Sequence, residues 1–331
     1  MISVVVPAHN EATVIGRLLS GLLADSMSIN EPAPDGQSSD DARAAEAPPP
    51  RGASANPDEL EPLETIVVAN GCTDQTAQIA ARHAAVRVID TPVPNKHRAL
   101  RLGDSHATAF PRLYVDADVE LRANDARALA KAFEDPRILA AAPRRHTPLD
   151  GCPWTVRWYY DIWEQLPVVR EGLFGRGVIA LSAEGHARIA NLPELMGDDL
   201  AASLSFAPDE RRVVDAARVT VHPPRTLADL LRRRVRSMTV TTQAATHTQL
   251  PGARTSSADL KALLRDAPLR NGPRLAWFLT VTAIARNRAR RAVKAGDFTT
   301  WLRDESSRAA APQAPGDEAP DAATKPGEGR A

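Results

Sequence analysis

Two cysteines in 331 residues leave this chain no disulfide framework. Cys72 and Cys152 have no metal-ligand spacing around them, and such sparse thiols fit a reducing compartment. Aromatic residues make up only 4% of the chain. No interleaved pattern of aromatics and cations accompanies its arginines, and no recognised reading module is present, so no nucleic-acid partner is expected. Phosphate-cradling glycine runs are lacking as well. Neither G-x-G-x-x-G nor G-x-x-x-x-G-K-[ST] occurs, which argues against a dinucleotide dehydrogenase and against a P-loop NTPase. No apolar run reaches the roughly 18–20 residues that span a bilayer, and Ala276 to Ala285 falls far short. Met1 leads straight into a strand pattern, so no signal peptide is evident and a cytoplasmic chain is expected.

What is present is unevenly spread. Forty-one cations balance 41 anions, but the zero net charge hides a strong asymmetry. Residues 30–62 are rich in Pro, Ala, Ser, Asp and Glu, contain no aromatic residue and read as a disordered acidic insertion. Residues 306–331 have the same character and read as a disordered tail. The span from Arg218 to Arg303 is instead strongly basic. Leu227 to Val240 reads as a helix bearing Arg232, Arg233, Arg234 and Arg236. The Ala276–Ala285 run precedes Arg286, Arg288, Arg290 and Arg291. An apolar run beside an arginine cluster suits either a core helix with a solvated basic end, the favoured reading, or a helix lying on an anionic membrane surface.

The first half alternates between two periods. Ile2–Val6 reads as a buried strand ended by Pro7, with Asn10 as a helix cap and Glu11 in the first turn. Val14, Ile15, Leu18, Leu19, Leu22 and Leu23 then recur at helical spacing. Thr65–Ala69 is the second strand and ends on Asn70-Gly71-Cys72-Thr73-Asp74, a sharp turn with Thr73 or Asp74 capping the next helix. Val86–Ile89 is the third, followed by Asn95 as a cap and Lys96. The fourth, Leu113–Val115, stops on Asp116-Ala117-Asp118.

Strand and helix in this order predict an α/β fold with a mostly parallel central sheet. Open sheets of that kind bind ligands at the carboxyl ends of their strands. That edge collects Pro7, Glu11, Asn70, Asp74, Lys96, Asp116 and Asp118: carboxylates, amides, a cation and helix N-termini. These are the parts needed to hold a nucleoside diphosphate with its metal. Hard Mg²⁺ or Mn²⁺ takes carboxylate oxygens and shares its remaining positions with phosphate. A turn or helix-cap pair of aspartates is the plainer alternative for Asp116 and Asp118.

In order and at compatible spacing, V-V-V-P-A-H-N-E, V-V-A-N-G-C-T-D-Q-T, N-K-H-R-A-L and Y-V-D-A-D resemble a family-2 glycosyltransferase of GT-A fold. The second half is similar more loosely. Gly175–Ser182 resembles the glycine-bearing acceptor-side loop and strand. Gly197-Asp198-Asp199-Leu200 resembles the acidic pair that supplies the base. Arg233 and Ser237 stand where some members carry the glutamine and tryptophan of Q-x-x-R-W, which removes any special case for a processive polysaccharide synthase.

The resemblance implies inverting transfer of a sugar from a nucleoside-diphosphate donor, with Asp116 and Asp118 on a divalent metal. It implies Pro7, Ala8, Glu11, Asn70, Asp74, Lys96, Asp116, Arg233 and Arg236 on the donor. Asp199, with Asp198 beside it, is the implied base, against the alternative of a helix cap. Asn70 replaces a common aspartate at the nucleobase. Trp154, Trp158, Tyr159 and Trp163 suit an acceptor groove or, more simply, a packed helix. A lipid-linked acceptor would suit peripheral membrane contact through residues 227–291, at the inner face of the membrane.

The expected organisation is a GT-A-like domain over residues 1–220, a helical basic extension over 221–305 and the tail. Two other classes compete: a non-catalytic sugar-nucleotide or protein-binding module on a degenerate fold, and a nucleotidyltransferase. The second would want a glycine- and lysine-rich N-terminal loop, which Pro7–Glu11 does not offer.

Overall fold

The computed structural model describes residues 1–27, 61–190, 203–247, 256–295, 304 and 306–308. The acidic insertion, apart from its last two residues, and the tail beyond residue 308 lie outside the described residues.

An eight-stranded sheet organises the chain. Its strands are β1 (Ile2–Ala8), β2 (Leu63–Asn70), β3 (Val86–Thr91), β4 (Arg112–Val115), β5 (Val119–Leu121), β6 (Ala140–His146), β7 (Val178–Leu181) and β8 (Arg211–Val221), in the order β3-β2-β1-β4-β7-β6-β8-β5. The half built by the first four strand patterns is parallel throughout. The other half is mixed: β7 pairs antiparallel with β4 and β6, β5 antiparallel with β8, and β6 parallel with β8.

The link between β4 and β5 forces the sheet to curl. Asp116, Ala117 and Asp118 alone join these strands, yet β7, β6 and β8 stand between them in the sheet. A flat sheet at ~4.8 Å per strand would part them by roughly 19 Å. The link spans only about 13 Å when fully extended. The far edge of the sheet therefore returns beside β4, and the two aspartates sit where it does so.

β1 continues past the residue expected to end it. Pro7 and Ala8 stay in register with Val68 and Ala69. The Ile2 N–H reaches Pro62 on the β2 side and the Ser3 N–H reaches Pro111 on the β4 side. By alternation Pro7 turns its missing donor towards β4, where pairing already stops at Val5. The ladder loses nothing there, which is the condition under which a strand tolerates proline.

Helix α1 (Ile15–Met27) buries Ile15, Leu18, Leu19 and Leu22 against β1, β4 and α4 (Ala123–Lys131) in the largest apolar cluster. The helical pattern begins as read, but Asn10 does not cap it. Asn10 adopts φ 52°, and its Oδ1 accepts the Thr73 N–H at 2.8 Å, tying the loop after β1 to the loop after β2. Helix α2 (Thr76–Ala81) follows that second loop. Helix α3 (Lys96–Asp104) lies close on the other face because Gly103 carries no side chain; a Cβ there would meet Val5 Cγ1 at 2.3 Å.

Short α6 (Pro167–Glu171) and α7 (Ala183–Ala190) flank β7 in sequence. The other helices form a second apolar cluster: α5 (Trp154–Trp163), α8 (Leu227–His247), α9 (Ser257–Asp266) and α10 (Pro268–Lys294). In α10 the buried positions Asn271, Leu275, Phe278, Val281, Ala285 and Ala289 recur at helical spacing. The Ala276–Ala285 run is thus part of a helix with a core face, while Leu279 and Ile284 stay exposed. Tyr159 of α5 is buried against Phe278, whereas Trp154 is 54% exposed beside Trp158 and Trp277. No described helix is long and apolar enough to cross a membrane.

Candidate donor and metal site

Parallel pairing brings the carboxyl ends of β1, β2 and β4 together, and the loops that follow them interlock. Asp74 accepts the Ala12 N–H at 3.0 Å through one oxygen and the Thr76 N–H at 3.0 Å through the other. The Glu11 N–H donates to Thr76 Oγ1 at 2.8 Å. Buried Asn70 donates from Nδ2 to the Ala8 carbonyl at 2.8 Å, and His9 Nδ1 lies 2.7 Å from the Asn70 carbonyl. Four expected donor contacts thus have framework partners. Pro7 and Ala8 are buried in β1, Asn70 ties β2 to it, and Asp74 joins the two loops.

The charged candidates converge. Asn95 caps α3 by accepting the Arg98 N–H at 2.9 Å. That starts the helix with Lys96, whose Nζ donates to Asp116 Oδ1 at 2.7 Å. Gly177, at φ +66°, sits against the other side of Asp116 and accepts its N–H at 2.8 Å. A Cβ there would meet Val119 Cγ1 at 2.5 Å and Asp116 Oδ2 at 3.4 Å. The glycine is what lets β7 begin this close to the aspartates.

Helix geometry selects among the arginines of α8. Arg232 is exposed and pairs with Asp229. Arg234 lies over the Tyr159 and Trp163 rings. Arg233 and Arg236, three residues apart on one face, act on Asp118. Burial pushes the Asp118 carboxyl up, but Arg308, Arg233, Arg236 and Lys96 together hold it below its ordinary range. Burial likewise opposes the charge of Arg233, yet Tyr160, Asp118 and Asp304 raise its pKa. Arg236 is shifted down, by burial first and by Arg233 second.

Arg308 was outside every sequence expectation for the site. It reaches Glu11 and Asp118 from a stretch set aside as tail, where Ser306–Arg308 form a turn. No motif or periodicity marks it, so no sequence signal could have found it. Arg145 and Arg176 were also missed. Arg145 lies 3.8 Å over the Trp163 ring and donates to the Gly175 carbonyl. Arg176 is buried and donates to four main-chain carbonyls. Asp198 and Asp199, the implied base pair, lie outside the described residues.

Among the described residues no group of three His, Cys, Asp or Glu side chains is arranged to hold a metal. Asp116 and Asp118 suit instead a cation that draws its other oxygens from phosphate and water. Two side-chain cations already stand on them, Lys96 on Asp116 and Arg308 on Asp118. The donor set and its charge therefore fit a divalent ion shared with a substrate.

No curated protein matches the chain. Among solved structures it is similar to glucosyl-3-phosphoglycerate synthase from Mycobacterium tuberculosis, solved with Mn²⁺, UDP and glucosyl-3-phosphoglycerate. The identity is 19%, the match covers 76% of this chain and 81% of that one, and the TM-score is 0.47. It is also similar to mannosyl-3-phosphoglycerate synthase from Rubrobacter xylanophilus, at 18% identity, 76% coverage of each chain and a TM-score of 0.46. At these values neither substrate nor mechanism transfers. A family model described as "Glycosyl transferase family 2" matches residues 52–176, which hold three of the four ordered motifs, both aspartates and the loop up to Arg176. Over that stretch, well under half of its length, the chain is similar to glycosyl transferase family 2, the family its strand-end motifs resemble.

Proposed function

We propose that this chain is a hexosyltransferase that moves a sugar from a nucleoside-diphosphate donor to an acceptor hydroxyl with inversion. The observation that carries the reading is the meeting of Glu11, Asp116 and Asp118 with Lys96, Arg233 and Arg236 at one edge of the sheet. As the glycosidic bond breaks, negative charge builds on the departing diphosphate. Fixed cations aimed at that charge stabilise the transition state more than the ground state. Lys96, Arg233 and Arg236 have that role. Asp116 and Asp118 would hold a divalent metal, which supplies Lewis-acid charge to the same diphosphate when bound. On the opposite face a carboxylate takes the acceptor proton. Asp199 is assigned that role and Asp198 a supporting one, on the family resemblance alone.

A cytoplasmic enzyme working at the inner face of the membrane on a lipid-linked acceptor is the finer reading. Its support is the exposed pair Leu279 and Ile284 on α10, just before Arg286, Arg288, Arg290 and Arg291. Flotation with anionic vesicles tests it, and protein that stays at the bottom of the gradient removes it.

The donor site is tested by thermal shift against UDP, GDP, ADP and TDP sugars, each with and without Mn²⁺. Ligand that binds only the native state raises the melting temperature. A shift that needs one nucleotide together with Mn²⁺, and is absent in Asp118→Asn, is the expected result. No shift with any donor would make the non-catalytic module the better reading. Asp199→Asn is expected to abolish transfer while donor binding persists. Normal turnover in that variant would refute the base.

A further inference from the structure

Arg308 places a guanidinium among the carboxylates of the candidate metal site. Its Nε donates to Glu11 Oε2 at 2.8 Å, and its Nη2 donates to Glu11 Oε1 and to Asp118 Oδ2, each at 2.9 Å. The contact is largely shielded from water, with side-chain exposures of 13% for Arg308, 11% for Glu11 and 24% for Asp118. Hydrogen bonds hold the turn that delivers it. Buried Asp304 accepts the Ser306 N–H and hydroxyl and the Ser307 N–H through Oδ1, and its carbonyl accepts from Arg308 Nη1 at 2.6 Å. The Arg225 N–H, just before α8, donates to Ser306 Oγ at 2.8 Å and fastens the turn to the body of the protein.

We propose that Arg308 is a built-in cation placeholder, paired with Glu11 and Asp118, and that it leaves Asp118 when the divalent ion that Asp116 and Asp118 would hold arrives. The proposal rests on the metal-assisted reading above. Glu11, Asp116 and Asp118 repel one another unless a cation lies among them. A guanidinium keeps its charge and so goes on neutralising that repulsion, and its fork fits the Glu11 carboxylate bidentately. A Mg²⁺-sized ion needs its oxygens at about 2.1 Å. An arginine nitrogen at 2.9 Å from Asp118 Oδ2, carrying like charge, cannot share that position with it. Docking of Arg308 and loading of the metal are therefore competitive. By linkage the competition is reciprocal: metal releases the turn, and whatever captures the released turn tightens metal binding.

Mn²⁺ binding without nucleotide, followed by the free-ion electron paramagnetic resonance signal, tests this on the full chain and on Arg308→Gln and Arg308→Lys. Arg308→Gln is expected to bind Mn²⁺ roughly tenfold more tightly than wild type, with Arg308→Lys between them. Trypsin supplies a readout independent of metal affinity, because an Arg308 side chain held by Glu11 and Asp118 is not free to enter the protease's specificity pocket, and cleavage after it is expected to be slow. Mn²⁺ with UDP is expected to speed that cut at least several-fold. Equal or weaker Mn²⁺ binding by Arg308→Gln, or a cut that ignores Mn²⁺, overturns the placeholder. If Arg308→Gln weakens the binding of UDP with Mn²⁺, Arg308 is a donor ligand instead, and the glycosyltransferase reading survives without the placeholder. If neither protein binds Mn²⁺ alone the placeholder falls, and if neither binds it with UDP present the metal-assisted reading falls as well.

Discussion

Replacing Arg176 with methionine should cost more than its distance from any reacting group suggests. Arg176 is 5% exposed. Its Nε donates to the Gly172 carbonyl at 3.0 Å, Nη1 to Pro143 at 2.9 Å, and Nη2 to Val169 at 3.1 Å and Arg170 at 2.8 Å. Burial lowers its pKa to about 10, with Arg145 and Arg144 adding to the shift, so it stays charged at neutral pH. Methionine fills much of the volume but donates nothing. Four stranded carbonyls at ~1–3 kcal/mol each set an upper bound of about 12 kcal/mol. The loop between α6 and β7 can turn some of them to water, so a loss of about 3–5 kcal/mol is expected. At ~2–4 °C per kcal/mol the melting temperature should fall by roughly 6–20 °C. Urea titration, with the slope checked against wild type, measures the loss directly. Lysine should recover only part of it, because a point charge cannot fork to four acceptors. The same loop ends at Gly177, which accepts the Asp116 N–H, so Mn²⁺ affinity should fall along with stability. A stability loss below about 1 kcal/mol, well under the per-group cost of stranding buried acceptors, would refute this account of the loop.

Gly177→Ala should be destabilising by about 1–3 kcal/mol, from positive φ and from the Val119 clash, and should weaken nucleotide binding by moving Asp116. Calorimetric melting and UDP titration check the two effects. Asn95→Ala removes the cap that starts α3 at Lys96 and should cost ~0.5–2 kcal/mol in chemical denaturation. Acid behaviour is set partly by Asp135, whose carboxyl is held at about 2 against an ordinary 3.8, first by the Arg137 side chain and N–H and further by Arg212. A folded value below the unfolded one means the contribution is complete above pH 3.8 and lost as pH falls towards 2. Asp135→Asn should flatten the acid limb of the stability profile in that window and lower stability at neutral pH, where the contribution it removes is fully present.

The strands and helices of the first half were readable because each is a local pattern. β-branched runs ending on Asn, Asp and Gly mark the strands, and the i, i+3, i+4 leucines of α1 mark the helix. The α3 cap is written in a single residue, Asn95. Proline was a weaker guide, since the cost of Pro7 depends on whether β4 still runs beside it, and no local pattern records that. Asn10 failed as a cap for a related reason. Its carbonyl group found a better partner in Thr73, 63 residues away.

Sequence by itself determined which residues could carry the chemistry: the aspartates after β4, the lysine opening α3, the acid after β1 and the arginines of α8. Tertiary structure alone decided how they are used. Helix phase turned Arg233 and Arg236 to the site and Arg232 away from it. Chain pairing at the sheet edge gave Asn70 and Asp74 framework partners, because backbone donors and acceptors there had to be satisfied. The curl of the sheet, imposed by a link of three residues between β4 and β5, set Asp116 and Asp118 where Lys96 and Arg308 pair with them. Arg308 can do so because folding brings a residue 190 positions away from Asp118 into the same pocket. A contact of that range leaves no trace in composition or periodicity, since neither partner constrains its own neighbours in the chain.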